Sequence, residues 1–139
     1  MRIMALDVGT KRIGVAMSDE LFLTAQGAET LYRMALDADL AKIKKIAEAN
    51  GVGEIVVGLP INMNGTYGAK AKEVIEFMDN LAKAVTPLPV KTWDERLTTV
   101  QAERTLLEAD VTRSKRKKAI DKLAAQIILQ SYLDSRKRG

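Results

Sequence analysis

The chain contains no histidine and no cysteine. Without imidazole there is no Ser-His-Asp triad and no common general base; without thiols there is no cysteine nucleophile and no disulfide framework. The double absence also excludes Cys/His zinc sites. What remains is carboxylate chemistry, lysine or hydroxyl nucleophiles, and hard oxygen-seeking cations such as Mg²⁺ or Mn²⁺. Aromatic residues make up 4% of the chain, too few for a broad platform on which single-stranded bases could stack. There is no apolar run of about 18 residues and no signal-peptide-like start, so the expectation is a cytoplasmic protein with no membrane partner. A length of 139 residues, 47% of them hydrophobic, suits one domain over 1–139 with its own core.

The net charge of +4 is unevenly spread. From residue 113 onward there are nine Lys or Arg against two Asp, so that segment is +7 and residues 1–112 carry −3. The cluster Arg113-Ser114-Lys115-Arg116-Lys117-Lys118 reads as a surface for a polyanion, that is, for nucleic acid. A solvated helix end is the competing explanation of such a run.

Three strand-like stretches open the chain, at about 2–7, 11–18 and, more weakly, 28–33. The short Gly9-Thr10 turn makes the first pair an antiparallel hairpin. Asp37 reads as the N-cap of a helix through Leu40, Ile43, Ile46 and Ala47, which Asn50-Gly51 ends. Glu54–Gly58 then forms a buried strand, parallel to the first because a helix separates them. A Pro/Asn/Gly-containing loop at 59–68 leads to a second helix ending near Val85, and Pro87 and Pro89 precede a strand at Val90–Trp93. Thr98 and Gln101 suggest a capping box for a short helix through Val100, Leu106 and Leu107. The last helix runs from about Arg116 to Ser135. The order βββαβαβαα is that of an α/β protein, a mixed five-stranded sheet whose first three strands are antiparallel, flanked by helices.

Three carboxylates stand out against this pattern. Asp7 follows the apolar run Ile3-Met4-Ala5-Leu6, where an ionised group is costly unless a cation or strong donors meet it. Asp121 falls near the middle of the apolar arc Ile120, Ala124, Ala125, Ile127, Ile128 and Tyr132 of the last helix; a buried Arg or a backbone cap would equally explain it. Glu95 lies just past a strand, at the carboxyl edge where open α/β sheets place ligands; a surface turn in which Arg96 pairs with Asp94 or Glu95 is the simpler account. Together the three could supply oxygen ligands to one or two divalent ions. Two such ions about 3.5 to 4 Å apart suit phosphodiester cleavage and need no histidine.

Four segments, Asp7-Val8-Gly9-Thr10-Lys11-Arg12-Ile13-Gly14-Val15-Ala16, Val57-Gly58-Leu59-Pro60 with Gly65-Thr66, Asp94-Glu95-Arg96-Leu97-Thr98-Thr99, and Asp121-Lys122-Leu123-Ala124-Ala125-Gln126-Ile127-Ile128-Leu129, closely resemble the YqgF family, also called RuvX. The resemblance covers essentially the whole chain. It implies a ribonuclease H-like fold and a nuclease role in maturing the 5′ end of 16S ribosomal RNA, with pre-rRNA favoured over branched DNA as partner. It also places the family's acidic positions on Asp7, Glu95 and Asp121, as catalytic residues holding two Mg²⁺ or Mn²⁺ ions. Arg96, Lys11 and Arg12 are then candidate substrate contacts beside Arg113, Lys115, Arg116, Lys117 and Lys118. Arg96 as a partner of Asp94, and Lys11 and Arg12 as a solvated turn, are the competing readings. The Asn62–Thr66 loop could offer backbone N–H groups to a phosphate, or simply cap the helix that follows. Trp93 is assigned to the core.

Asp-x-Gly-Thr in a first hairpin also resembles the phosphate-binding loop of the sugar-kinase and actin superfamily, but those proteins grip ATP between two lobes and this chain provides one. A Holliday-junction resolvase-like DNA nuclease fits the same residues, and so does a non-catalytic nucleic-acid-binding protein, which predicts salt-sensitive binding without cleavage. Nothing in the pattern chooses between monomer and homodimer.

Overall fold

Ile3, Ala5 and Asp7 alternate with Met4, Leu6 and Val8 along β1 (Arg2–Val8), and strand alternation sends the two sets to opposite faces of the sheet. The computed structural model describes residues 1–97 and 113–138, with side chains described for 1–97 and 123–136. The elements in order are β1, β2 (Arg12–Ser18), β3 (Ala25–Tyr32), α1 (Leu36–Ala49), β4 (Val52–Leu59), α2 (Ala69–Ala84), β5 (Val90–Asp94), a 3₁₀ turn (Glu95–Leu97) and α3 (Arg113–Arg138). The expected short helix and its Thr98/Gln101 cap lie outside the described residues.

The five strands form one sheet in the order β3-β2-β1-β4-β5. β1–β2 and β2–β3 are antiparallel; β1–β4 and β4–β5 are parallel. This is the mixed sheet expected, with its three parallel strands ending at one edge. Met4, Leu6 and Val8 face a core shared with Ile43 and Ala47 of α1 and Val74, Phe77 and Leu81 of α2. Ile3 and Ala5 face the other way, onto Ala125, Ile128, Leu129 and Leu133 of α3. A strand apolar on both faces is what a sheet covered on both sides requires.

β3 begins three residues earlier than the sequence suggests. Gln126 and Gln130 of α3 take the carbonyl and the N–H of Ala25, each at 3.0 Å, and so fasten its start. A register shift opposite Val15/Ala16 breaks the alternation that sequence reading relies on.

The start of α1 also differs from expectation. Ala35 is the capping residue and makes no side-chain bond; Asp37, expected there, lies in the first turn. The anchor is Asp39, 2% exposed, whose Oδ1 accepts the Met34 N–H at 2.9 Å and whose Oδ2 lies 3.5 Å from Arg33 Nε. Arg33 in turn donates to the Gly9 carbonyl at 3.0 Å, tying this corner to the turn after β1. The expected end at Asn50-Gly51 is borne out: Asn50 is the C-cap and Gly51 takes φ 62°. No helix among the described residues is long and apolar enough to cross a membrane.

Asp39→Ala leaves the Met34 N–H without its acceptor and removes the carboxylate beside Arg33, and is expected to lower unfolding stability by about 1–3 kcal/mol. Urea unfolding of both proteins at one pH measures the difference.

Candidate active site at the carboxyl edge

Parallel pairing brings the ends of β1, β4 and β5 level. Leu6 pairs with Val57, and Gly58 and Leu59 pair with Trp93 and Asp94. Asp7, one residue past Leu6 on the α3 side, therefore emerges beside Gly58. On β5 the same parity runs through Trp93, which packs edge-on to Tyr132 of α3 at 5.8 Å and 81°, to Glu95 in the 3₁₀ turn. Asp7 and Glu95 thus share a face and an edge although 88 positions separate them in sequence.

Their carboxyl groups meet in a side-chain hydrogen bond. Two carboxyls in contact must share a proton or a cation, because both cannot be ionised cheaply in a partly buried site. Burial pushes the Glu95 carboxyl up, the hydrogen bond and charge of Asp7 push it further, and Lys70 pulls it back, leaving it at about 8. The contact and burial therefore favour a proton shared within the Asp7–Glu95 pair over two full charges.

Gly58 makes room for this pair. A Cβ built there would lie 2.5 Å from Ile128 Cδ1 and 2.7 Å from Glu95 Oε1, so the Glu95 carboxylate lies over the one position of β4 that has no side chain at this edge. Gly9 has a related role in the turn: its N–H donates to the Arg12 carbonyl at 2.8 Å, and an added Cβ would meet that oxygen at 2.7 Å. Asp7, Gly9, Thr10, Lys11, Arg12 and Gly14 line an open depression of about 250 Å³.

The other expected site residues fall into three groups. Lys11 and Arg12 are exposed on the rim of that depression. Arg96 pairs with Asp94: its Nε and Nη2 donate to that carboxylate at 2.9 and 2.6 Å, and the guanidinium holds the Asp94 carboxyl below its ordinary range. Asp121 lies within α3, one turn before the buried Ala125, and Arg113, Lys115, Arg116, Lys117 and Lys118 lie in its first turns; the side chains of these six are outside the described residues. Among the described residues no cluster of three or more acidic side chains is assembled; the described acidic pair is Asp7 and Glu95.

Two contributors escape a sequence reading. Gly58 reads as one more residue of a buried strand, and its need for an empty Cβ position comes from Glu95 and Ile128, far away in the chain. Lys70 reads as one lysine among many on an amphipathic helix, yet its Nζ donates to Thr10 Oγ1 at 3.1 Å. The Asn62–Thr66 loop closes on itself: the Asn62 N–H donates to the Thr66 carbonyl at 3.0 Å and the Gly65 N–H to the Asn62 carbonyl at 2.8 Å. It does not cap α2, whose N-cap Gly68 offers no side chain.

Comparison with known proteins gives this edge its context. The family model described as "RuvX: Holliday junction resolvase" matches residues 1–135. The chain belongs to the RuvX family. It is 58% identical over 136 residues to a protein of Symbiobacterium thermophilum, covering 98% of this chain and 94% of the relative. It is also 58% identical over 133 residues to one of Clostridioides difficile, covering 96% and 94%. Both relatives carry the name "Putative pre-16S rRNA nuclease". Among solved structures, T. thermophilus RuvC with a Holliday junction substrate matches with TM-score 0.59 at 12% identity, over 99% of this chain and 96% of that one. The Fowlpox virus resolvase with Holliday junction DNA matches at 0.58 and 14%, over 98% and 99%. The fold shared with these two resolvases is the ribonuclease H-like fold that the motifs imply.

The acid pair makes stability depend on pH. Glu95 has its carboxyl raised from 4.5 to about 8 in the folded chain, so the fold favours the protonated form. Its contribution is full below pH 4.5 and is lost as pH rises through about 8. In chelator, the stability of wild type relative to Glu95→Gln is expected to fall over this window, as urea unfolding at a series of pH values would show. Gly58→Ala forces Ile128 and Glu95 aside; it is expected to cost about 1–3 kcal/mol and to flatten the same pH profile by separating the carboxyls.

Proposed function

We propose that this chain is a metal-dependent nuclease that hydrolyses phosphodiester bonds in maturing the 5′ end of pre-16S rRNA. The observation that carries the reading is the contact between Asp7 and Glu95 at the edge where the three parallel strands end. The names of its RuvX relatives support the substrate.

The donor set fits a hard divalent cation. The described groups at this edge offer carboxylate oxygens, and the chain has no histidine or cysteine to favour softer metals. Two carboxyls pressed together, with that of Glu95 raised by burial and by Asp7, are also what a divalent charge would relieve. Asp7, Glu95 and Asp121 would hold one or two Mg²⁺ or Mn²⁺ ions. Bound there, such an ion supplies positive charge that activates water and steadies the leaving oxygen.

The chain's own residues do the rest. With a cation held there, Glu95 would release its proton to solvent and offer a carboxylate beside Asp7. Gly58 leaves the space in which that carboxylate sits, and the Gly9 turn fixes the backbone beyond Asp7. The direction of α3 supports a role for Asp121. Tyr132 donates to Glu54 near the start of β4 at 2.8 Å, whereas Ile128 lies over Gly58 near its end, so α3 runs antiparallel to β4. Position 121, seven residues before Ile128, is about 10 Å further along the helix, towards the carboxyl edge. Lys11 and Arg12 at the rim, and Arg113 to Lys118 on the same end of α3, are the groups that meet the phosphate backbone. Arg96 keeps Asp94 neutralised, which stops a further negative charge from opposing the substrate.

The family description favours a second substrate, a DNA Holliday junction. The test compares wild type, Asp7→Asn and Asp121→Asn on a structured RNA carrying the 16S 5′ boundary and on a branched DNA junction, in Mg²⁺, Mn²⁺ or chelator. Wild type is expected to cut the RNA only with metal, and each variant to lose at least about a hundredfold in rate, the upper range for residues that merely orient metal ligands. Cutting by the variants at the wild-type rate, or by wild type in chelator, defeats the mechanism; cutting of the junction alone moves the substrate to DNA.

A further inference from the structure

Lys70 stands in the first turn of α2, and its side chain reaches out of that helix to another segment. Its Nζ donates to Thr10 Oγ1 at 3.1 Å, joining the start of α2 to the turn after β1. The same ammonium acts electrostatically on the Glu95 carboxyl, opposing the effect of Asp7. Lys70 therefore bonds the hairpin turn and lies within electrostatic reach of Glu95. Thr10 is a neutral acceptor and occupies one of the three donors an ammonium carries. The residue is otherwise exposed, and the neighbouring Asn62–Thr66 loop satisfies its own polar groups, with Thr66 Oγ1 donating to Asn64 Oδ1 at 2.6 Å.

A phosphate approaching this edge meets two acidic side chains in a part of the chain whose net charge is −3. A cation fixed beside them lowers that barrier, and a lysine held by a hydroxyl loses less freedom on binding than a solvated one. We propose that Lys70 binds a backbone phosphate of the nucleic-acid strand, next to the bond presented to Asp7 and Glu95, and that Thr10 is the positioning residue that holds its ammonium there. The assignment rests on the nuclease reading and adds a substrate contact to it.

The experiment measures binding of the structured RNA by fluorescence anisotropy in chelator over a series of salt concentrations, and cleavage kinetics in Mn²⁺, for wild type, Lys70→Met, Lys70→Gln, Lys70→Arg and Thr10→Val. Losing one phosphate contact is expected to weaken binding and raise KM roughly five- to tenfold, and to reduce the salt slope by about one. Both neutral variants are expected to do this while melting close to wild type. Lys70→Arg is expected to restore the salt slope, and Thr10→Val to raise KM by a smaller factor with the slope kept. Wild type that cuts, with Lys70→Met and Lys70→Gln matching it in KM and salt slope, overturns the assignment alone. Wild type that neither binds nor cuts overturns the nuclease reading, and the assignment with it.

Discussion

Two carboxyl groups held in contact at the end of a sheet are a standing electrostatic cost, and the geometry of this fold is what maintains it. Asp7 cannot turn away, because strand alternation fixes it on the α3 side while Leu6 and Val8 are buried on the other. Glu95 is held by the 3₁₀ turn that follows directly on β5. Burial and proximity then act together on the same carboxyl and place its proton affinity near neutrality. Stability alone would favour replacing either group by an apolar residue. Perturbed groups gathered at a sheet edge mark a candidate ligand site.

The parallel ladder is what converts distant sequence positions into neighbours. β1, β4 and β5 are joined through helices that pack on one face, so their carboxyl ends are level and the opposite face is left to α3. At Gly58 the ladder, the helix and the acid pair meet: Ile128 and Glu95 both approach the missing side chain. At the other end of β4, Glu54 accepts from Tyr132 and pairs with Lys91 and Arg136 at 2.9 and 3.3 Å. These groups neutralise Glu54 and keep its carboxyl below its ordinary range despite burial. The same face of the sheet thus carries one acid whose carboxyl is lowered by its partners and another, Glu95, whose carboxyl is raised by burial and by Asp7. The contrast separates a structural carboxylate from a candidate functional one.

Much of this is legible in the sequence because the signals are local. Apolar runs mark β1, β2 and β4, helical spacing marks α1, the Pro/Asn/Gly loop at 59–68 announces α2, and Asn50-Gly51 marks a helix end. Asp7 and Glu95 are visible as acids at strand ends. Their mutual contact is not, since it depends on the register between β1, β4 and β5. Asp39 escapes notice as the group anchoring the start of α1, because the nearer Asp37 satisfies the usual capping pattern while the fold buries its neighbour two positions on. β3 is blurred by its bulge and by glutamines more than 100 positions away that fix its first residue. Arg96 can be read two ways from sequence, and the close carboxylate of Asp94 decides it, since a bidentate ion pair two residues away forms at little entropic cost.

The direction of α3 gives the uneven charge of the chain a spatial meaning. Because α3 runs antiparallel to β4, its C-terminal half covers Ile3, Ala5, Ala16, Ala25 and Val56 of the sheet, and its N-terminal turns lead towards the edge where the acid pair lies. Those turns contain Arg113, Lys115, Arg116, Lys117 and Lys118. The +7 segment therefore begins at the end of the molecule where a phosphate would be brought to acids, and the −3 remainder supplies the acids themselves. In the proposed mechanism the basic helix end would attract a polyanion at long range, and a cation between Asp7 and Glu95 would offset their short-range repulsion of phosphate. In the proposed mechanism one helix would carry both the steering charge and the third carboxylate at Asp121, so substrate capture and assembly of the site would depend on the same packing against Gly58.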